Sequence, residues 1–301
     1  MRSGSDEKWA GILELRVEKT AASRSVARHQ YHEGALRVIR PHYLDANGQV
    51  TYTVVNPGGA YFGADHYLLE FETQEGAELL VTTQSATKVY KTPQGPAFQQ
   101  MNVKLGKDSV FEYVPDQLIV YRQGSYRQTT SVLMHPTAAL VLSEVITPGW
   151  SPEQIDFSYD ELNTRTEVKV DGDAGPKRLV VDQLRLKPHE GQNISGVGMM
   201  EGYSHSGQLL LAHRDLNDQL FETVRGLAED SETYSGVSRA GIGEVYGVKC
   251  VAIRSLAHST EAIATLHCRI IDTVREKPDS NLLLTSENFR FHELSYHDGY
   301  S

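Results

Sequence analysis

Cysteine is almost absent: Cys250 and Cys268 are the two among 301 residues. Two thiols make no disulfide framework, and their spacing fits no zinc pattern. No run approaches the roughly 20 apolar residues that cross a bilayer, and Met1 to Ala10 holds no signal-type apolar core. No Gly-x-x-x-x-Gly-Lys-Ser/Thr loop occurs, so nucleotide hydrolysis by this chain is not expected. Gly241-Ile242-Gly243 is too short for a dinucleotide fingerprint, and neither His-Glu-x-x-His nor a Gly-x-Ser-x-Gly elbow is present. Positive charge is in deficit, with 29 basic against 39 acidic side chains and a net charge of −10. Phosphate backbones need clustered Lys and Arg, so nucleic acid is excluded as the main partner. A basic protein surface or a cation suits this balance better. These absences describe a soluble cytoplasmic protein with no membrane partner.

What is present reads mainly as strand. Hydrophobic residues make up 40% of the chain, enough for a sizeable core. Leu36–Ile39, Val50–Val55, Tyr67–Glu72, Glu78–Thr83, Val110–Val114, Tyr126–Leu133 and Ala138–Ile146 are rich in β-branched and aromatic residues. Thr164–Val170 and Arg178–Leu186 continue the series. Turn signals separate them at Asn47-Gly48, Pro57-Gly58-Gly59, Glu75-Gly76, Pro93 to Pro96, Gly106-Lys107-Asp108 and Asp171-Gly172-Asp173. Short strands broken about every ten residues predict an elongated, irregular, multi-stranded β structure of sandwich or solenoid type. No exact internal repeat is visible, which argues against a solenoid with a fixed motif.

Two helices are predicted, both in the C-terminal third. Leu216, Leu220, Phe221, Val224 and Leu227 form one stripe over Leu216–Ala228, with Asp215 placed to cap it. The second helix spans Ser259 to about Glu276. Its apolar face holds Ala262, Ile263, Leu266, Ile270, Ile271 and Val274, and Pro278 ends it. Ser259 suits the N-cap, Glu261 the positive end, and Arg275 and Lys277 the negative end. A strand over Val245–Ile253 precedes it. No low-complexity linker interrupts the chain. The expectation is one domain over 1–301: a β body over about 11–190, a mixed α/β part over about 191–277, and a polar tail over 278–301.

Few residues advertise chemistry. Asp65 lies between a Gly-rich turn and a strand, where a carboxylate bonds its own turn or offers an oxygen to a dication. Thr82, Thr83, Ser85 and Thr87, with Gln84, place hydroxyls and an amide densely before Lys88. Such a segment is either a solvent-facing sheet surface or the wall of a wet passage. His205, His213, His258 and His267 each read first as structural or surface residues. The tail Phe291–Asp298 carries His292, Glu293, His297 and Asp298, a loose set of ligands for a divalent metal or an exposed terminus. Cys250 and Cys268 read as small core or interface residues. Glu70 with Glu72, and Asp160 with Glu161, are the carboxylate pairs that a carbohydrate hydrolase would need.

An ordered set of segments carries a resemblance. ALRVIRPHY (Ala35–Tyr43), NPGGAYFGADHYLLEFE (Asn56–Glu72) and LLVTTQSATKVYKT (Leu79–Thr92) come first. FEYVPDQLIVYRQGSYRQ (Phe111–Gln128) and LSEVITPGWSPEQIDFSY (Leu142–Tyr159) follow, then Asp182 in LVVDQLRLKP and MEGYSHSG (Met200–Gly207). Over about residues 8 to 275 the chain resembles the UreD (UreH) family of urease accessory proteins. Ala64 stands where that family usually has glycine. Trp150 follows Gly149 where many members carry arginine and, soon after, a Gly-Glu pair, so no role is carried over to that position.

The resemblance implies a non-enzymatic maturation factor with an elongated β fold. Such proteins bind apo-urease and UreF, which recruits the GTPase UreG, and the assembly delivers nickel to a buried site holding a carbamylated lysine. It implies no tightly bound cofactor, only a transient nickel ion. Asp65, Thr82, Thr83, Ser85 and Thr87 are then candidates for nickel transfer, with Asp65 as the transient ligand. Ile270 and Ile271 are candidates for the UreF contact. A β-sandwich or β-solenoid carbohydrate-active enzyme and a purely structural adaptor are the alternatives.

Overall fold

The computed structural model describes residues 9–275 apart from 45, 46 and 192. The chain winds between two sheets. It enters through the hairpin β1 (Gly11–Lys19) and β2 (Ser25–Gly34), then the short β3 (Arg37–Val38). From β4 (Val50–Val55) the chain passes back and forth between the sheets through β5 (His66–Thr73), β6 (Glu78–Thr83), β7 (Thr87–Val89), β8 (Ala97–Leu105), β9 (Val110–Tyr113), β10 (Leu118–Val120), β11 (Ser125–Met134), β12 (Ala139–Ile146) and β13 (Glu161–Gly172), with the short β7 and β10 following β6 and β9 on the second sheet. The hairpin partner β14 (Gly175–Leu186) ends the first sheet, whose order is β14-β13-β11-β8-β5-β1-β2. β15 (His205–His213), β16 (Tyr234–Val245) and β17 (Val248–Ala257) extend the second, ordered β16-β17-β15-β12-β9-β6-β4-β3.

Within each sheet the central strands run parallel. β1, β5, β8, β11 and β13 pair in parallel on one side, and β4, β6, β9 and β12 on the other. Each circuit stacks on the last: Val50 pairs with Leu79, Leu79 with Phe111, and Phe111 with Leu140. The circuits turn from the first sheet to the second through connections of equal length at 74–77, 106–109 and 135–138. Those corners are themselves stacked. The Gly76 N–H donates to the Lys107 carbonyl at 2.8 Å, and the Asp108 N–H to Thr137 Oγ1 at 2.9 Å. A Cβ on Gly106 would lie 3.0 Å from the Thr73 carbonyl oxygen, so close stacking selects glycine there.

Period-two alternation sends one face of every strand inward. In β8, Ala97, Gln99, Met101, Val103 and Leu105 are buried, and the residues between them are not. The inward faces of both sheets form one core, which includes Leu13, Leu15, Tyr52, Phe71, Leu79, Phe111, Leu140 and Val168. Fully burying each such side chain contributes about 1.5–3 kcal/mol.

The helices cover only the outer face of the second sheet. α1 (Asp218–Glu229) is capped by Asn217, whose Oδ1 accepts from the Leu220 N–H at 2.8 Å. The cap is therefore two residues beyond the Asp215 expected from sequence, and Asp215 instead lies 3.7 Å from His213. α2 (Thr260–Arg275) begins as expected, with Ser259 Oγ accepting from the Ala262 N–H at 3.2 Å. Its stripe of Leu266, Ile270, Ile271 and Val274 packs with Leu220 and Val224 of α1 and with Leu209, Leu211, Val251 and Ile253 of the sheet.

That packing corrects one sequence expectation. Ile270 is 0% exposed and Ile271 is 1% exposed, so neither offers a surface to a partner. A charged replacement there would test folding, not association. The informative change is Ile271→Val, expected to cost about 0.5–1.5 kcal/mol in urea unfolding while leaving partner affinity unaltered.

Candidate functional site

The inward faces are not wholly apolar. Across the first sheet, Tyr67 pairs with Gln99, Gln99 with Gln128, and Gln128 with Thr164. Each occupies the inward position of its own circuit, so four successive strands place polar groups in one line along the winding axis. Across the second sheet, Glu144 pairs with Gln208 and Gln208 with Arg254. Glu144 takes the inward position between Leu142 and Ile146, both core residues.

Hydrogen bonds join this line. Tyr61 Oη donates to Gln99 Oε1 at 2.8 Å, and Gln99 Nε2 to Gln128 Oε1 at 3.2 Å. Tyr126 Oη also donates to Gln128 Oε1, at 2.9 Å. Gln128 Nε2 donates to Glu144 Oε1 at 3.0 Å, and Thr164 Oγ1 to Glu144 Oε2 at 3.2 Å. At the near end, the Tyr61 and Tyr67 rings stack at 3.7 Å, and Tyr67 Oη donates to Asp65 Oδ2 at 3.0 Å. At the far end, Asp182 pairs with Arg254. A narrow cavity of about 50 Å³ runs beside the line, bordered by Thr87, Tyr113, Asp116, Gln128, Glu144 and Gln208 among others. It has room for a few water molecules and polar partners to hold them.

Electrostatics single out Glu144. Its pKa is raised from 4.5 to about 7, chiefly by burial and also by Asp182, with the bonds from Thr164 and Gln128 and the charge of Arg254 only partly opposing this. The carboxyl borders the cavity while lying deep in the protein. The Tyr61, Tyr113 and Tyr126 phenols are pushed up chiefly by desolvation and remain neutral donors. Neutral amide, hydroxyl and phenol oxygens offer a dication exchangeable contacts, not a trap. Among the described residues no group of three or more His, Cys, Asp or Glu side chains could hold a metal ion.

The structure separates the residues expected from sequence. Asp65 sits at the near end of the line and also accepts from the Phe62 N–H at 2.8 Å, so it has both the turn-forming role and contact with the line. The preceding Ala64 is held at φ 58°, a left-handed conformation that costs a Cβ-bearing residue energy. Thr82 to Thr87 is not one strand: β6 ends at Thr83, a bend follows, and β7 starts at Thr87. Thr87 borders the cavity. Thr83 Oγ1 accepts from the Asp116 N–H at 2.9 Å, alternation turns Thr82 outward, and Ser85 is exposed in the bend.

His267 is buried and hydrogen-bonded within the protein. His267 Nδ1 shares a hydrogen bond with Ser143 Oγ at 2.9 Å, and burial drives its pKa to about 3. Cys250 and Cys268 have thiols raised to about 12 by burial. The tail residues His292, Glu293, His297 and Asp298 lie outside the described residues.

The carboxylate pairs do not form an acid–base couple. Glu161 and Glu72 both experience desolvation, but ion pairs outweigh it and hold each pKa below its ordinary value. Arg127 and Arg185 flank Glu161, while Arg16 and Lys104 flank Glu72. A glycosidase needs one carboxyl kept protonated.

Sequence reasoning missed Gln99, Gln128, Glu144 and Thr164. The available signal was a polar residue in an inward column, as with Glu144 in the otherwise apolar alternation Leu140, Leu142, Ile146.

Two sheets with parallel central strands wound by one chain, with a hydrogen-bonded polar line along the axis, define a β-solenoid scaffold with helices on one flank. The chain matches the family described as UreD urease accessory protein over residues 10–282. A urease accessory protein UreD of Kocuria rhizophila is 51% identical over 91% of this chain and 88% of its own length. Those of Paenarthrobacter aurescens and Bacillus cereus are 46% and 31% identical, covering 89% and 88% of this chain and 91% and 93% of their own lengths. The chain belongs to the UreD family of urease accessory proteins.

Proposed function

We propose that this protein matures urease by passing nickel to the apoenzyme, in an assembly with UreF and, through UreF, the GTPase UreG. The protein itself catalyses nothing in this reading. Nickel is cargo, not a resident cofactor, and the setting is the cytoplasm. The observation that carries the proposal is the axial line from Asp65 through Gln99 and Gln128 to Glu144. Its two carboxyl ends would attract a dication, and its neutral middle would let water compete, as transit requires.

The test is the nickel content of urease purified from cells in which this chain is replaced by variants. Thr166→Leu, at the cavity wall, and Asp65→Asn are expected to leave the fold and partner binding intact. Each should lower bound nickel and urease activity together. Normal nickel loading in both variants would remove the passage and leave an adaptor. Lost binding of UreF or apo-urease would show that these residues act through assembly.

A further inference from the structure

A second alignment of side chains lies on the outside of the solenoid. Where the circuits turn back, β7 and β10 pair in parallel, Val89 with Val120, and bridges join Tyr61 to Val89 and Tyr121 to Trp150. The residue after each inward Tyr61, Val89 and Val120 points outward. This register lines up Phe62, Tyr90, Tyr121 and Trp150, one aromatic ring per circuit. Their centroids are 5.5, 4.7 and 4.9 Å apart in sequence along the row. Phe62 is 48% exposed, Tyr90 38% and Trp150 50%.

Four consecutive rings in mutual contact at a surface are unlike singly scattered apolar residues. The backbone holds them in place. Gly149 adopts φ 89°, and a Cβ there would lie 2.3 Å from the Val120 carbonyl oxygen, so Trp150 is presented by a turn that only glycine makes without strain.

Charge around the row is unusual for this protein. The chain carries −10 overall, yet Lys88 and Lys91 flank Tyr90, and among the described residues neither has an ion-pair partner. Lys88 pairs in register with Ile119, which extends the outward face beside the rings. Arg122 follows Tyr121 and is engaged by Glu153 at 2.5 Å. Beside Tyr90 the uncompensated charge is therefore positive, while the Asp65 carboxylate lies at the Phe62 end of the row.

We infer that the row Phe62–Tyr90–Tyr121–Trp150, with Lys88 and Lys91, is a docking surface for an acidic protein segment that sets apolar side chains between its carboxylates. Large aromatic rings anchor such contacts, and unpaired lysines at the rim select the charge of the partner. The inference goes beyond the nickel-delivery reading, because it holds equally for an adaptor that never meets the metal.

The test measures affinity of the full chain for purified UreF and, separately, for purified apo-urease. Trp150→Ala with Tyr90→Ala is expected to weaken one of the two complexes by roughly tenfold or more. Lys88→Glu with Lys91→Glu should weaken the same complex, most strongly at low salt. Lys169→Glu, on the opposite sheet, should not. Circular dichroism and melting should be unaltered in all three. Affinities within twofold of wild type for both partners would overturn the inference.

If wild type binds neither protein, the maturation reading fails and the surface is tested alone. A Trp9→Phe chain reports only Trp150, since the sequence has two tryptophans. Titration with an alternating glutamate–leucine octapeptide should blue-shift its emission, and salt should reverse the shift. No shift, or an equal shift with a lysine–leucine octapeptide, would overturn the inference.

Discussion

Replacing Glu112 by leucine will destabilise the fold by about 3–5 kcal/mol, the cost of removing one partner of a buried ion pair. Glu112 and Arg275 are 0% and 3% exposed, and the guanidinium binds both carboxylate oxygens. Glu112 lies on β9 and Arg275 on the last turn of α2, so the pair fixes the helix end to the sheet. Gln49 Nε2 adds a third bond at 3.2 Å. Asp272 is a more distant acidic neighbour of Arg275, at 3.6 Å. The double variant Glu112→Leu, Arg275→Met should recover much of the loss, because an apolar pair of similar volume avoids desolvating two ions. Urea unfolding of both single variants and the double gives the coupling energy. Additive losses would show that the two side chains do not act as a unit.

Glu144→Gln is expected to stabilise the protein in mild alkali and change little in mild acid. The folded-state pKa of Glu144 is raised from 4.5 to about 7 by burial. A raised carboxyl pKa gives a stabilising contribution that is complete below the unfolded value and lost as pH rises through the folded value. Wild type therefore loses stability between about pH 4.5 and pH 7, while the glutamine variant does not. The gap at about pH 8 should be on the order of 1–3 kcal/mol, allowing for the water that the cavity admits. The same variant should mature urease less well, because the line loses its inner anion. A gap independent of pH would mean that Glu144 does not ionise in this range.

The fold was legible because strand alternation is local. Val50–Val55 and Glu78–Thr83 have the boundaries expected from composition, and most others differ by a few residues. β16 was missed because its Gly236, Gly241 and Gly243 break the strand pattern, and β8 because Gln99 interrupts an apolar column. The winding was hidden for a different reason. Its regularity lies in pairing and in equal corners at 74–77, 106–109 and 135–138, which share geometry and not residues. The polar line was hidden too, since its members come from separate circuits and meet only through register. Asp65 was legible in sequence as a carboxylate at a turn, and its contact with the line came only from the fold. The Ile270 and Ile271 expectation failed because an amphipathic stripe shows that a face is buried without showing what buries it.

Parallel winding gives the molecule a graduated scale. Neighbouring strands stand about 4.8 Å apart, so each circuit advances the axis by one such step. The row from Tyr67 to Thr164 crosses β5, β8, β11 and β13, and its reach is fixed by three steps at roughly 14 Å. Loop insertions at the corners cannot alter that distance; only gain or loss of a whole circuit can. The separation between the two ends is thus set in integer increments by backbone pairing, and side-chain substitution changes what lines the interval but not its length.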